Sequence, residues 1–172
     1  MDDELQYIDG NMDGISSARF RIITGQLQSL AGKLGVTGLI LADSSGRVLA
    51  RETGKDWQGD TVACAALTAG SFAAAKELAV MLGESHHFKT VLLEGEKVNI
   101  LICSVTKDIY LVTVFKTGVA LGMARLLVRQ TVSRLRQVLR QPETGDEQVS
   151  GVMNSRFQAL LDDELDRSFN DT

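Results

Sequence analysis

The side chains able to do chemistry are few and scattered. His86 and His87 stand next to each other, with no acid or cysteine at ligand spacing within a helix, so they make no metal set and read as the junction of a loop and a strand. Cys64 falls in an alanine-rich stretch and Cys103 ends an apolar one. Neither is matched by a histidine in a nucleophile pattern, so both read as small core fillers. Two cysteines are also too few for a disulfide scaffold or a four-cysteine metal site. Gly54-Lys55 is no phosphate-binding loop, because no glycine stands five residues before Gly54 and no Ser or Thr follows the lysine. With no Ser/His/Asp set and no paired catalytic carboxylates, neither an enzyme, nor a metal, nor a cofactor is expected.

What stands out instead is a run of missing side chains. Between Thr61 and Met81 there are eight alanines, with Gly70 and Ser71 in the middle. Glycine inside a helix costs about 1 kcal/mol relative to alanine, so something must favour its bare backbone. Ala66, Ala69, Gly70 and Ala73, at steps of 3, 1 and 3, form one smooth stripe, while Leu67, Ala74, Leu78 and Met81 lie on a neighbouring face suited to covering a sheet. Small residues let another backbone approach closely. The stripe reads as helix–helix packing in a homodimer, or as a platform built by two such helices for a further partner. The two readings are compatible.

Two other patterns concern recognition. Phe157, Leu161, Leu165 and Phe169 recur at steps of four and are joined by Leu160, with Asp162, Asp163, Glu164 and Asp166 on the other sides. A helix this short is marginal alone in water, so it should order on docking, either on its own domain or on a partner, or else remain a flexible tail without one. Arg125, Arg129, Arg136 and Arg140 share a stripe of the third long helix. It reads as a solvated face or as a receiver for an acidic tail.

The elements that must carry these residues follow from periodicity. Phe20, Ile23, Leu27, Leu30 and Leu34 mark a helix over 17–34, with Ser16 or Ser17 as its cap and Gly35 as its stop. Residues 37–42 and 47–51 flank the polar turn Asp43-Ser44-Ser45-Gly46, a hairpin signal. Asp60 or Thr61 caps the alanine-rich helix, which Gly83 ends. Three strands, 88–93, 98–103 and 109–115, are joined by links too short for anything but antiparallel neighbours. A third helix covers about 119–140. Trp57, in the loop before the second helix, could cover core or meet a partner. The predicted order, helix, two strands, helix, three strands, helix, is an α+β layer fold with a five-stranded antiparallel sheet and helices on both faces.

The 172 residues are 44% apolar and 23% charged, enough for one domain and a short appendage. The net charge of −4 is unevenly spread: residues 1–13 carry −5, residues 142–172 carry −6, and 14–141 hold 16 basic against 9 acidic residues. A basic body could attract nucleic acid, but the interleaved aromatics of a stacking platform are missing, so none is expected. No apolar run approaches the roughly 20 residues of a membrane span. Met1-Asp2-Asp3-Glu4 is acidic where a signal peptide is basic, so a cytoplasmic location is expected. The predicted division is an acidic disordered lead over 1–16, a domain over 17–140, a polar linker over 141–153 that begins around Pro142, and an amphipathic partner-binding helix over 154–170.

This element order, the segment Leu67-Thr68-Ala69-Gly70-Ser71-Phe72-Ala73-Ala74 with Leu82-Gly83-Glu84 after it, and the C-terminal pattern from Phe157 to Phe169 resemble the Roadblock/LC7 family over about 17–140. The likeness is strongest to bacterial members that regulate a small Ras-like GTPase. The resemblance implies a homodimer, joined in part through the edge strand after the second helix. It also implies stimulation of GTP hydrolysis by remodelling of the GTPase's switch regions, with a role for the C-terminal helix in nucleotide exchange. The hydrolytic residues would belong to the GTPase. Ala66, Ala69, Gly70, Ala73, Phe157, Leu160, Leu161, Leu165 and Phe169 would then contact the partner. Roadblock proteins that act as scaffolds or motor light chains give a second expectation, and a small-ligand sensor is a third, resting on fold analogy.

Overall fold

The computed structural model describes residues 16–84 and 88–140. His86, His87, the acidic lead and everything from residue 141 on, including Phe157, Leu160, Leu161, Leu165 and Phe169, lie outside the described residues.

Helix α1, Ser17–Leu34, starts where the Ser16 side chain accepts from the Arg19 amide at 3.4 Å and stops where Gly35 turns left-handed, with φ 61°. Its buried ridge is Ile23, Leu27, Leu30 and Leu34, the period read from the sequence. Strands β1, Gly38–Asp43, and β2, Val48–Thr53, form the first hairpin. Helix α2, Thr61–Met81, is capped by the Asp60 carboxylate, which accepts from the amides of Val62 at 2.8 Å and Ala63 at 3.2 Å. Strands β3, Thr90–Glu94, β4, Val98–Ser104, and β5, Ile109–Lys116, make the meander, and α3, Leu121–Arg140, follows.

The sheet order is β2-β1-β5-β4-β3, antiparallel at every junction. Hairpin and meander are joined by β1 against β5, which places the start of the sheet beside its end. Alternation then sorts side chains to two faces. Leu39, Leu41, Leu101, Cys103, Leu111 and Phe115 meet α1 and α3 in one core, and Ile40, Ala42, Ile102, Tyr110, Val112 and Val114 meet α2 in the other. Helices α1 and α3 pack side by side, α1 over β2 and β1 and α3 over β4, whereas α2 crosses β1, β2 and β5. The fold is the α+β arrangement expected, with helices on both faces of five antiparallel strands.

The arginine stripe of α3 is not uniformly solvated. Arg136 is half-buried and donates from Nε to the Val105 carbonyl at 2.8 Å and from Nη2 to the Ser104 carbonyl at 3.2 Å. It ties α3 to the end of β4. Arg125, Arg129 and Arg140 are exposed.

Trp57 is a cover. It packs on the α2-side core, and its ring lies so close above β1 that a Cβ on Gly38 would stand 2.5 Å from its Cε3. Glycine at 38 is the residue that lets the indole lie flat there.

Candidate partner-binding surface

Helix α2 holds to the sheet through Thr61, Ala65, Thr68, Ala69, Phe72 and Ala79. Phe72 is the anchor: its ring is 4.6 Å from that of Tyr110, and Lys76 Nζ stands 5.9 Å and 5.8 Å from the two ring centres while donating to the Lys107 carbonyl at 3.1 Å. With only alanine and threonine around one large ring, the helix sits low on the strands.

This corrects two expectations. Ala69 is 6% exposed and faces the sheet, so it is not on the open stripe with Ala66, Gly70 and Ala73, which are exposed. Leu67, Ala74, Leu78 and Met81 do not cover the sheet; Leu67 is 74% and Met81 81% exposed. The physical reason is size: small side chains under a helix permit the close approach that Phe72 and Tyr110 fix, and the larger aliphatics are left on the outside.

The outer side is therefore a shallow trough. Ala63, Ala66, Gly70, Ala73 and Ala74 form its floor, with Leu67, Leu78, Val62 and Val80 standing exposed beside it and Glu77, Met81 and Leu82 at its end. At Gly70 a Cβ would meet nothing within 4 Å, so no neighbour inside the protomer requires a glycine there. Ala66 differs. The β1–β2 turn leans on it, and a Cβ on Gly46, itself at φ 83°, would come within 2.7 Å of the Ala66 Cα. Its smallness serves the protomer's own hairpin.

The apolar surface continues on to the sheet. Toward the outer end of the sheet on this face the cover thins: Ile102 is buried in the α2-side core, Val91 and Ile100 are half-buried against it, and Leu93 and Val98 are exposed. β3 is the sheet's edge strand, so its outer backbone groups face no other described strand. Val62, Val80, Leu82, Leu93 and Val98 were not singled out from the sequence. The signal that could have found them is that α2 is apolar on every side, and such a helix has to be covered twice. That property also overturns the expectation that no stretch resembles a membrane span: α2 has 21 residues and a window of mean hydropathy 1.2, long and apolar enough by length and composition. Its underside is nonetheless engaged by the sheet through Phe72 and its neighbours.

Burial pushes both thiols up, at Cys64 and at Cys103, against weaker opposing hydrogen bonds with Thr68 and Thr90. A neutral thiol is a poor nucleophile, which fits the core-filler reading. No group of three or more His, Cys, Asp or Glu among the described residues could hold a metal ion. What the arrangement can do is bind: it offers an aliphatic trough, a bare helix backbone and an open sheet edge.

Comparison with known proteins agrees. The family model of the Roadblock/LC7 domain matches residues 23–115. Among solved structures, MglB of Myxococcus xanthus is 28% identical over 70% of this chain and 96% of that one, with a TM-score of 0.66. The gliding protein MglB of Thermus thermophilus is 25% identical over 72% and 93%, with a TM-score of 0.67. A Roadblock/LC7 domain from Streptomyces avermitilis, 14% identical with a TM-score of 0.62 over 68% and 97%, shares the fold. No curated protein matches the sequence. From the Ile23 ridge of α1 to Phe115 at the end of β5, this chain belongs to the Roadblock/LC7 family.

Proposed function

We propose that this protein is an MglB-like homodimeric regulator of a small Ras-like GTPase. Two copies lie with their α2 helices side by side and their β3 edges paired, and the GTPase rests on the resulting platform. The protein stimulates GTP hydrolysis by remodelling the switch regions, the hydrolytic residues being the GTPase's own, and the helix of Phe157, Leu160, Leu161, Leu165 and Phe169 aids nucleotide exchange. It would act in the cytoplasm, in cell polarity or motility.

The observation that carries this reading is the outer side of α2: an exposed aliphatic trough around a mid-helix glycine that the protomer itself does not need. The likeness to two MglB structures at 25% and 28% identity supports the same assignment. Pairing of an edge strand in a dimer also removes an aggregation hazard.

The test is GTP hydrolysis by a Ras-like GTPase of the same organism, with and without this protein. Stimulation is expected, and Gly70→Arg, whose side chain would stand up from the trough floor, should abolish both stimulation and complex formation while the fold persists. Normal stimulation by that variant would remove the platform. Complex formation without any change in hydrolysis would leave a Roadblock scaffold in place of a regulator.

A further inference from the structure

The helical layer on the other side of the sheet has a property that the trough does not explain. Helices α1 and α3 together carry eight Lys and Arg and no Asp or Glu. The rest of the described chain carries eight cations and nine acids, so the whole positive excess of the domain sits on this one layer. Arg21, Lys33, Arg125, Arg129, Arg134 and Arg140 are exposed there. Set among them are three aliphatic side chains in solvent: Ile22, half exposed, with Met123 at 55% and Leu126 at 58%.

We propose that the α1–α3 face docks on an anionic lipid surface, with the arginines at the headgroups and Ile22, Met123 and Leu126 entering the boundary of the acyl region. Three observations favour lipid over other polyanions. The charge is of one sign and spread over two helices packed side by side, which suits a plane of phosphates. The exposed Ile22, Met123 and Leu126 give the basic layer apolar groups that can enter the acyl boundary, as the apolar side of an interfacial helix does. No aromatic residue is exposed on either helix to stack on a base, Phe20 being half-buried in the core. The face lies across the sheet from α2, so the inference does not rest on the GTPase reading: binding to a membrane here would leave the trough open.

The experiment is co-sedimentation of the full chain with phosphatidylcholine vesicles containing phosphatidylserine, against phosphatidylcholine alone, at low and high salt, with no GTPase present. Binding is expected to the anionic vesicles and to fall with salt. Arg125→Glu with Arg129→Glu should weaken it about tenfold or more, as should Arg21→Gln with Arg134→Gln, a milder pair should the reversal unfold the helix. Met123→Ser with Leu126→Ser should weaken it while sparing the salt dependence. The inference is overturned if anionic vesicles fail to bind at low salt, if neutral vesicles bind equally, or if the folded arginine variants bind as before. It is overturned equally if Met81→Ser abolishes binding where Leu126→Ser does not, since α2 would then be the inserting helix. Binding to single- or double-stranded oligonucleotides without vesicle binding would assign the face to nucleic acid.

Discussion

Asp43 closes the first hairpin with one carboxylate. It accepts from the amides of Ser45 at 2.9 Å and Arg47 at 3.0 Å, from the Ser45 hydroxyl, and from Arg47 Nε at 3.0 Å. Burial pushes this carboxyl up, but the bonds from Ser45 and Arg47 outweigh it and hold it below the ordinary aspartate value. A depressed folded value means that the charged form is favoured by folding. Its contribution is therefore full above about pH 4 and is lost as pH falls through the folded value. Asp43→Ala should cost about 1–2 kcal/mol at neutral pH and flatten the acid limb of stability; denaturant melts at pH 7 and pH 3 measure both. Gly38 makes a different kind of demand. Gly38→Ala sets a methyl 2.5 Å from the Trp57 ring, which is planar and pinned, so strand or indole must move. The expected loss is about 1–3 kcal/mol, with a shift in the fluorescence of the chain's single tryptophan as the local reporter.

Helices α2 and α3 each add one specific contact to their apolar packing. α2 depends on Phe72 wedged against Tyr110, with alanines permitting the approach. α3 buries Ala124, Val128, Val132 and Leu135 and is pinned laterally by Arg136, whose two bonds end on backbone carbonyls of Ser104 and Val105. Arg136→Leu would keep the stem's packing but remove both bonds. The expected cost is about 1–2 kcal/mol, read as a lower melting temperature that the exposed Arg140→Leu does not reproduce.

The protomer is asymmetric across its sheet: aliphatic and nearly uncharged outside α2, cationic outside α1 and α3. A dimer built on α2 would bury the Leu78–Met81 end of the first surface, keep the rest as the platform, and leave the second outward. Leu78→Asp with Met81→Asp should then convert the dimer to monomers, because both side chains stand in solvent in the single protomer and charge there costs the isolated fold little. Light scattering with circular dichroism separates the outcomes. Half the mass with unchanged helicity is expected, and an intact dimer would exclude α2 as the interface.

Much of this was written in local patterns. The α1 ridge, the Ser16 and Asp60 caps, the Gly35 stop, the hairpin turn and the antiparallel meander follow from period and turn chemistry, which act over a few residues. The Roadblock/LC7 likeness was legible for the same reason, since it rests on element order and on the small-residue run of α2. What could not be read was which side of α2 faces in. A helix apolar all round has no periodic contrast, so the choice fell to whichever face admits the Phe72–Tyr110 contact, and that sent Ala69 inward and Leu67, Leu78 and Met81 outward. Trp57 over Gly38, Gly46 against Ala66 and Arg136 on Ser104 were equally silent. Each joins groups distant in the chain, and such contacts exist only once the strands have paired.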